Sequence, residues 1–284
     1  LPNNALVLGS MGFVERRLGR LDDALAHLGQ AARLDPGSPN PANAMGEILT
    51  GQRRFSEAQA AYSRALAIAP DNEDVVAGMV ANLQAQGDLD AAERLLAARP
   101  GSMQDLQTQG PRLDQDFYRR RFDVVLAQLH SMAAKDQRPG WEFRQLYYAV
   151  RVAEALQSKG DAAAANVAFQ HGAKLIAPAR AAGTDEVNVA QVEAMVQAGI
   201  GNRDAALREI DRAILLARGD AKETPPLQVR KALIHLHFGE RDAAIAMLGP
   251  LLEVPYGLTP ALLRIDPRWD ALREDPRFRK LAGG

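Results

Sequence analysis

Two stretches, ALVLGSMGFVERRLGRLDDALAHLGQAARLDP (Ala5 to Pro36) and PNPANAMGEILTGQRRFSEAQAAYSRALAIAP (Pro39 to Pro70), decide the fold when one is set above the other. Ala24 falls over Ala58, Ala31 over Ala65 and Pro36 over Pro70, each pair 34 residues apart. A third copy starts at Glu73, with Gly87, Leu89, Ala92 and Leu96 in the same register. Self-similarity at such a period marks stacked supersecondary units. The residue types say what each unit is: two antiparallel helices joined by a tight turn. Ala24, Ala58 and Ala92 lie where the helices of a unit cross, and a larger side chain would push them apart. Leu28, Tyr62 and Leu96, four residues on, are large knobs that pack on the next unit. Gly19 and Gly87 end the first helix, where a left-handed residue is best tolerated as glycine. Pro36 and Pro70 end the second, because an interior proline costs about 3 kcal/mol.

The period, with its small, large and Pro positions in this order, resembles the tetratricopeptide repeat (TPR). That resemblance implies an all-α fold, a right-handed superhelical α-solenoid. The crossing position continues along the chain as Ala24, Ala58, Ala92, Val125, Ala165, Ala206 and Ala244, at spacings of 34, 34, 33, 40, 41 and 38. The later knobs are Leu129, Phe169, Ile210 and Leu248, and the later turn glycines Gly160, Gly201 and Gly239. We therefore expect about seven helical hairpins followed by short C-terminal capping helices. The stretched spacings coincide with Gly/Pro-bearing insertions at Arg138–Trp141, Pro178–Thr184 and Gly219–Pro226. Gly110-Pro111 predicts a broken first helix in the fourth hairpin; the alternative organisation, a split at Pro100–Pro111, gives two arms with a hinge over 101–113. The expected organisation is one continuous solenoid: three regular units in 1–100, four degenerate hairpins in 101–257 and capping helices in 258–284.

Composition agrees with helices and narrows function. The 284 residues hold 34 Lys+Arg against 35 Asp+Glu, a net charge of −1, so no global field draws the chain to nucleic acid or an anionic membrane. Cys is 0, which removes disulfide scaffolds, thiolate metal sites and thiol nucleophiles. Aromatics are 5%, strand-like alternation is scarce, and the frequent Ala, Leu, Arg, Gln and Glu are strong helix formers. No uncharged apolar run approaches the roughly 18 residues of a membrane span. The chain begins at Leu1, so we expect a piece of something longer, acting in the cytoplasm or on the periplasmic side of a membrane-anchored parent.

The end of the chain, LTPALLRIDPRWDALREDPRFRKL (Leu258 to Leu281), is its most specific segment. Two Asp-Pro helix starts stand at 266 and 275, each with an aromatic three residues after its Asp, Trp269 and Phe278. We expect these rings to close the open end of the solenoid, as terminal repeats must. The segment resembles the end of TPR tails in bacterial multidomain signalling proteins, whose N-terminal partners are a Ser/Thr kinase, a nucleotide cyclase or a winged-helix regulator. That resemblance extends loosely back to about residue 106. It implies a sensory or scaffolding arm, with a stand-alone assembly or secretion scaffold, or a small-ligand sensor with a pocket inside the superhelix, as alternatives.

No catalytic, metal or cofactor site is expected. His235 and His237, two residues apart on a helix, point to different sides, unlike the i, i+4 pair that chelates a metal. Gly199-Ile200-Gly201 follows a helix, not a strand, and fills a hairpin turn instead of a dinucleotide site. Asp22-Asp23 and Glu73-Asp74 sit at helix starts, where carboxylates complement the helix dipole. Arg119-Arg120-Arg121, among Phe117, Tyr118 and Phe122, falls at a hairpin turn and is expected to be solvated.

The expected partner is a protein or peptide lying on the concave face. TPR domains that grip a chaperone's C-terminal carboxylate use a Lys/Asn clamp, and the matching positions here are Gly9, Phe13, Ala44, Asp74 and Gly78, which cannot supply one. First-helix residues that do not fit the core pattern are expected to line the inner wall instead: Phe13, Arg16, Asn43, Glu47, Gln84, Tyr147, Arg151 and Glu154. Phe13 and Tyr147 are large rings where the fold asks for none, as at contact hot spots. Tyr147 belongs to WEFRQLYY (Trp141 to Tyr148), and for these rings the favoured reading is that they fill a wide joint beside a 40-residue unit, with the groove as the alternative.

Overall fold

The structure, a computed structural model, describes residues 4–99, 106–136 and 141–284. Among them the chain forms sixteen α-helices, one 3-10 helix and no strand. Fourteen helices pair into seven hairpins: α1 (Ala5–Arg17) with α2 (Leu21–Leu34), α3 (Asn40–Gly51) with α4 (Phe55–Ile68), α5 (Glu73–Gln86) with α6 (Leu89–Ala98), α7 (Leu106–Tyr118) with α8 (Phe122–Lys135), α9 (Trp141–Lys159) with α10 (Ala162–Ala181), α11 (Glu186–Gly199) with α12 (Arg203–Leu216), and α13 (Thr224–His237) with α14 (Arg241–Glu253). Then come α15 (Pro260–Ile265), the 3-10 helix (Pro267–Leu272) and α16 (Pro276–Leu281). This is the expected all-α solenoid class.

The repeat register places the side chains as their types demand. All seven crossing residues, from Ala24 to Ala244, and all seven knobs, from Leu28 to Leu248, are buried. Space for the largest knobs comes from glycines. The Tyr62 ring lies 2.6 Å from where a Cβ on Gly46 would stand and 2.7 Å from one on Gly78, and Phe169 lies 2.1 Å from one on Gly199. Polar side chains close several helix starts: Asn4, Asn72, Asp88, Asp161 and Asp185 each accept backbone N–H bonds of the first turn.

Two expectations need correcting. Pro111 does not break α7, which runs through it. Pro178 likewise lies inside α10. The long spacings there are absorbed by longer helices, 19 residues in α9 and 20 in α10 against 10 to 14 in α1–α6. Residues 138–140 of the insertion expected at Arg138–Trp141, and residues 100–105 of the alternative split, lie outside the described residues.

The chain divides into two compact units. The first gathers Leu1–Gln115, Gly219–Pro225 and Glu253–Leu262; the second gathers Asp116–Arg218, Pro226–Leu252 and Leu263–Gly284. Each therefore contains hairpins and a later piece of chain that docks on them.

In the first unit the docking line is the row of hairpin turns. Ala221 donates its N–H to the Arg17 carbonyl at 2.7 Å, and Arg17 pairs with Asp220 at 2.5 Å. The Tyr256 N–H donates to the Gly51 carbonyl at 3.1 Å, and its ring joins Leu21, Ala24, Leu28, Ala44 and Ile48. The Thr259 hydroxyl donates to the Ala85 carbonyl at 2.7 Å.

In the second unit both Asp-Pro starts act as expected: Asp266 and Asp275 cap the 3-10 helix and α16, each with proline in the first turn. Trp269 and Phe278 are fully buried. Arg277 of α16 pairs with Asp242 of α14 at 2.7 Å, so α16 closes the last hairpin. The 3-10 helix does more than cap an end. Arg268 lies 5.7 Å over the Phe117 ring, and Asp270 takes two hydrogen bonds from Arg120, at 2.5 and 2.7 Å.

Candidate partner-binding surface

The eight inner-wall residues fall into open and closed groups. Phe13 on α1 is 41% exposed, with the Arg16 guanidinium 5.4 Å over its ring. Arg16 donates to Glu47 on α3, and Lys222 from the docked loop stands 3.7 Å from the same carboxylate. Asn43 is half-buried, and no group of the protein bonds to its Oδ1. Phe13, Arg16, Glu47 and Lys222 therefore form one cross-linked row.

Gln84 is buried, its amide donating to the Pro111 carbonyl at 2.7 Å and to Gln115 Oε1 at 3.2 Å, so it ties α5 to α7. On α9, Tyr147 is half-buried against the core cluster that contains Leu146 and Val150. Its neighbour Tyr148 is buried, donating its hydroxyl to Asp136 at 3.0 Å. Arg151 stands 3.7 Å from Glu154 and 5.7 Å over the Phe117 ring. Glu154 is 4% exposed, and neither of its oxygens accepts a hydrogen bond.

The widest apolar exposure lies on α1. Val7, Met11, Val14 and Leu18, spaced 4, 3 and 4 residues apart, form one exposed stripe, flanked by Leu6 at 81% exposure. The repeat register explains it. One period on, Val7, Met11 and Val14 become Pro41, Met45 and Ile48 of α3; two periods on they become Val75, Met79 and Asn82 of α5. Pro41 and Ile48, Val75 and Asn82 are buried, and Met45 and Met79 pack on the clusters that α2 and α4 share with α3 and α5. In the second and third hairpins these positions pack against the preceding helix.

Sequence reading missed two residues that hold the later chain. Arg53 and Arg120 occupy the hairpin-turn position with φ of 60° and 58°, where five other hairpins have glycine. Arg53 donates to the Val254 carbonyl at 3.0 Å and to the Leu258 carbonyl at 2.7 Å; Arg120 holds Asp270. The signal was present, since 19, 53, 87, 120, 160, 201 and 239 repeat the crossing-position spacings and two of the seven are arginine. The other two arginines of the basic run do not form an open patch either, Arg121 pairing with Asp116 at 2.9 Å. Among the described residues no cluster of His, Asp and Glu has the arrangement of a metal site, and no helix is long and apolar enough to cross a membrane.

Comparison with known proteins matches one stretch of the chain to a family and the whole of it to a fold. Residues 49–109 match the tetratricopeptide repeat family. A crystal structure of a tetratricopeptide repeat protein from Parabacteroides merdae ATCC 43184 is similar with a TM-score of 0.54 at 14% identity, over 82% of this chain and 84% of that one. A chain of the APC/C hetero-tetramer Cut9-Hcn1 gives a TM-score of 0.46 at 16% identity, over 98% of this chain and 55% of that one. In sequence, the cellulose synthase operon protein C of Pseudomonas fluorescens (strain SBW25) is 33% identical over 81 residues, 28% of this chain and 6% of that protein. Residues 49–109 are thus tetratricopeptide repeats by family match, and the chain as a whole has the all-α solenoid fold of tetratricopeptide repeat proteins.

Proposed function

We propose that this chain is a non-catalytic protein- or peptide-binding module, the scaffolding or sensory arm of a larger bacterial signalling protein in the cytoplasm. The stacked hairpins support the reading, because rigid first helices present a preformed surface, and Phe13, 41% exposed beside Arg16, is the ring of the expected inner wall open to a partner. The signalling parent rests on the likeness of Leu258 to Leu281 to signalling-protein tails. The short likeness to a protein named for a cellulose synthase operon supports the alternative, an assembly scaffold. With a net charge of −1, and with Arg120 and Arg121 of the basic run paired to Asp270 and Asp116, the surface suits a protein better than nucleic acid.

The test is a pull-down with the chain, followed by titration of the partner found. Phe13→Ala is expected to weaken binding at least tenfold, as a hot-spot ring does, while the circular dichroism melt stays unchanged. Full-strength binding by the variant would move the site away from α1.

A further inference from the structure

The second unit gathers three guanidinium groups around two carboxylates. Arg268 of the 3-10 helix is held by Asp266, with Nη2 at 2.6 Å and Nε at 3.0 Å. Arg151 of α9 stands 3.7 Å from Glu154, and both Arg151 and Arg268 lie 5.7 Å over the Phe117 ring. The third, Arg230 of α13, lies within electrostatic reach of Glu154, Arg151 and Arg268 but has no carboxylate of its own. Its neighbour Lys231 pairs with Asp211 at 2.6 Å, whereas among the described residues no group accepts a hydrogen bond from Arg230. The Arg230 side chain is half-buried, and its nitrogens remain open to solvent.

A guanidinium keeps its proton at any ordinary pH, so it cannot escape desolvation by discharging. Burial pulls the Arg230 group below the ordinary arginine pKa, the mark of a cation whose lost hydration is not replaced. Glu154 does not replace it: its oxygens are buried, and Arg151 comes closer to them than Arg230 does. A second idle donor stands beside this one. Tyr147, four residues before Arg151 and on the same side of α9, packs its ring on the core. Its hydroxyl is accessible, and among the described residues nothing bonds to it. It too lies within electrostatic reach of Arg230. A planar fork of N–H groups and one O–H match the acceptor sites of a single carboxylate.

We propose that Arg230 and Tyr147 bind a carboxylate, Arg230 through its fork and Tyr147 through its hydroxyl, and that this carboxylate is an acidic side chain of the peptide partner. The source of the carboxylate rests on the peptide-binding function proposed above; the anion chemistry does not. The site lies on α9 and α13, and not at the clamp positions of the first three hairpins.

Matched peptides test it on the intact chain: end-blocked Ala-Glu-Glu-Ala and its uncharged counterpart Ala-Gln-Gln-Ala. In NMR titrations at millimolar peptide, the glutamate form is expected to move the Arg230 Nε–H signal and the amides of Tyr147 and Arg230, binding at least tenfold tighter than the glutamine form. Sodium glutarate separates the sources. Binding tighter than that of the glutamate peptide would assign the site to a free organic acid and overturn the peptide source. Arg230→Met is expected to erase the difference between the peptides while the thermal melt stays unchanged or rises, because it removes a desolvated cation that has no partner. Tyr147→Phe, which keeps the ring in the core, is expected to weaken the glutamate peptide about threefold. A lowered melt for Arg230→Met would make Arg230 the structural counter-ion of Glu154 and overturn the proposal. So would equal binding, or none, of the two peptides to the unaltered chain. Neither result bears on Phe13→Ala, so the partner-binding function stands or falls by its own test.

Discussion

The chain after α14 is held in two ways, and the contrast explains which parts of it are specific in sequence. In the first unit, Glu253–Leu262 is gripped largely through its main chain: Arg53 bonds two carbonyls, and the Tyr256 N–H meets the Gly51 carbonyl. Carbonyls are the same on every residue, so this grip constrains few side chains beyond Tyr256 and Thr259. In the second unit, Leu263–Gly284 is held by side chains, with Trp269 and Phe278 buried and Asp266, Asp270 and Asp275 each paired to arginine. That grip demands particular residues at particular spacings. It is why the distinctive motif falls mainly after residue 263 and not before it.

The contrast breaks most visibly if the buried anchor is removed. Trp269→Ala deletes a ring with no solvent exposure and is expected to cost about 3–5 kcal/mol. Hydrogen exchange should then rise in the last hairpin and the 3-10 helix, while Glu253–Leu262 keeps its protection in the first unit. An unchanged melt would show that the ring contributes little, and the side-chain account of the second grip would fail.

Arg53 and Arg120 allow a finer comparison, because each replaces glycine at a left-handed turn. That conformation costs a side-chain-bearing residue about 1–2 kcal/mol, which glycine would not incur. Arg53 offsets the cost with charge-assisted bonds to carbonyls, each worth about 1.5–3 kcal/mol. Arg120 bonds a carboxylate with both partners more than a third exposed, where a pair contributes about 0.2–1 kcal/mol. Arg53→Gly is therefore expected to destabilise by about 1 kcal/mol, and Arg120→Gly to be neutral or slightly stabilising. Urea melts of the two variants measure the difference. Equal losses would mean that the carbonyl grip and the carboxylate grip have similar strength.

These residues also show how far the sequence was legible. The hairpins, their crossing residues and knobs were readable because each depends on partners within one or two periods. The turn arginines were visible as exceptions to a glycine series, but what they hold lies 201 residues away for Arg53 and 150 for Arg120. No local pattern encodes such a pairing. The same limit explains the inner wall. Gln84 and Glu154 occupy first-helix positions that a bare hairpin would leave open, and α7 in one case and the chain around Arg268 in the other close over them.

The smallest effect separates the grips by acid. Arg277 beside Asp275 holds that carboxyl at about 2, below the ~3.9 of an unfolded chain. A carboxyl lowered by folding stabilises the fold above its unfolded value and loses that contribution as pH falls through the folded one. The cap of α16 is therefore expected to weaken between about pH 4 and pH 2. The carbonyls that Arg53 holds do not titrate, so the first grip should be insensitive over the same range. Amide exchange compared at pH 5 and pH 2 should show α16 loosening relative to Glu253–Leu262. Asp275→Asn, which keeps a capping oxygen but not the titration, should flatten that difference. If both segments loosen together with Asp275 intact, acid acts on the fold as a whole, and charge pairing is not what sets the second grip apart.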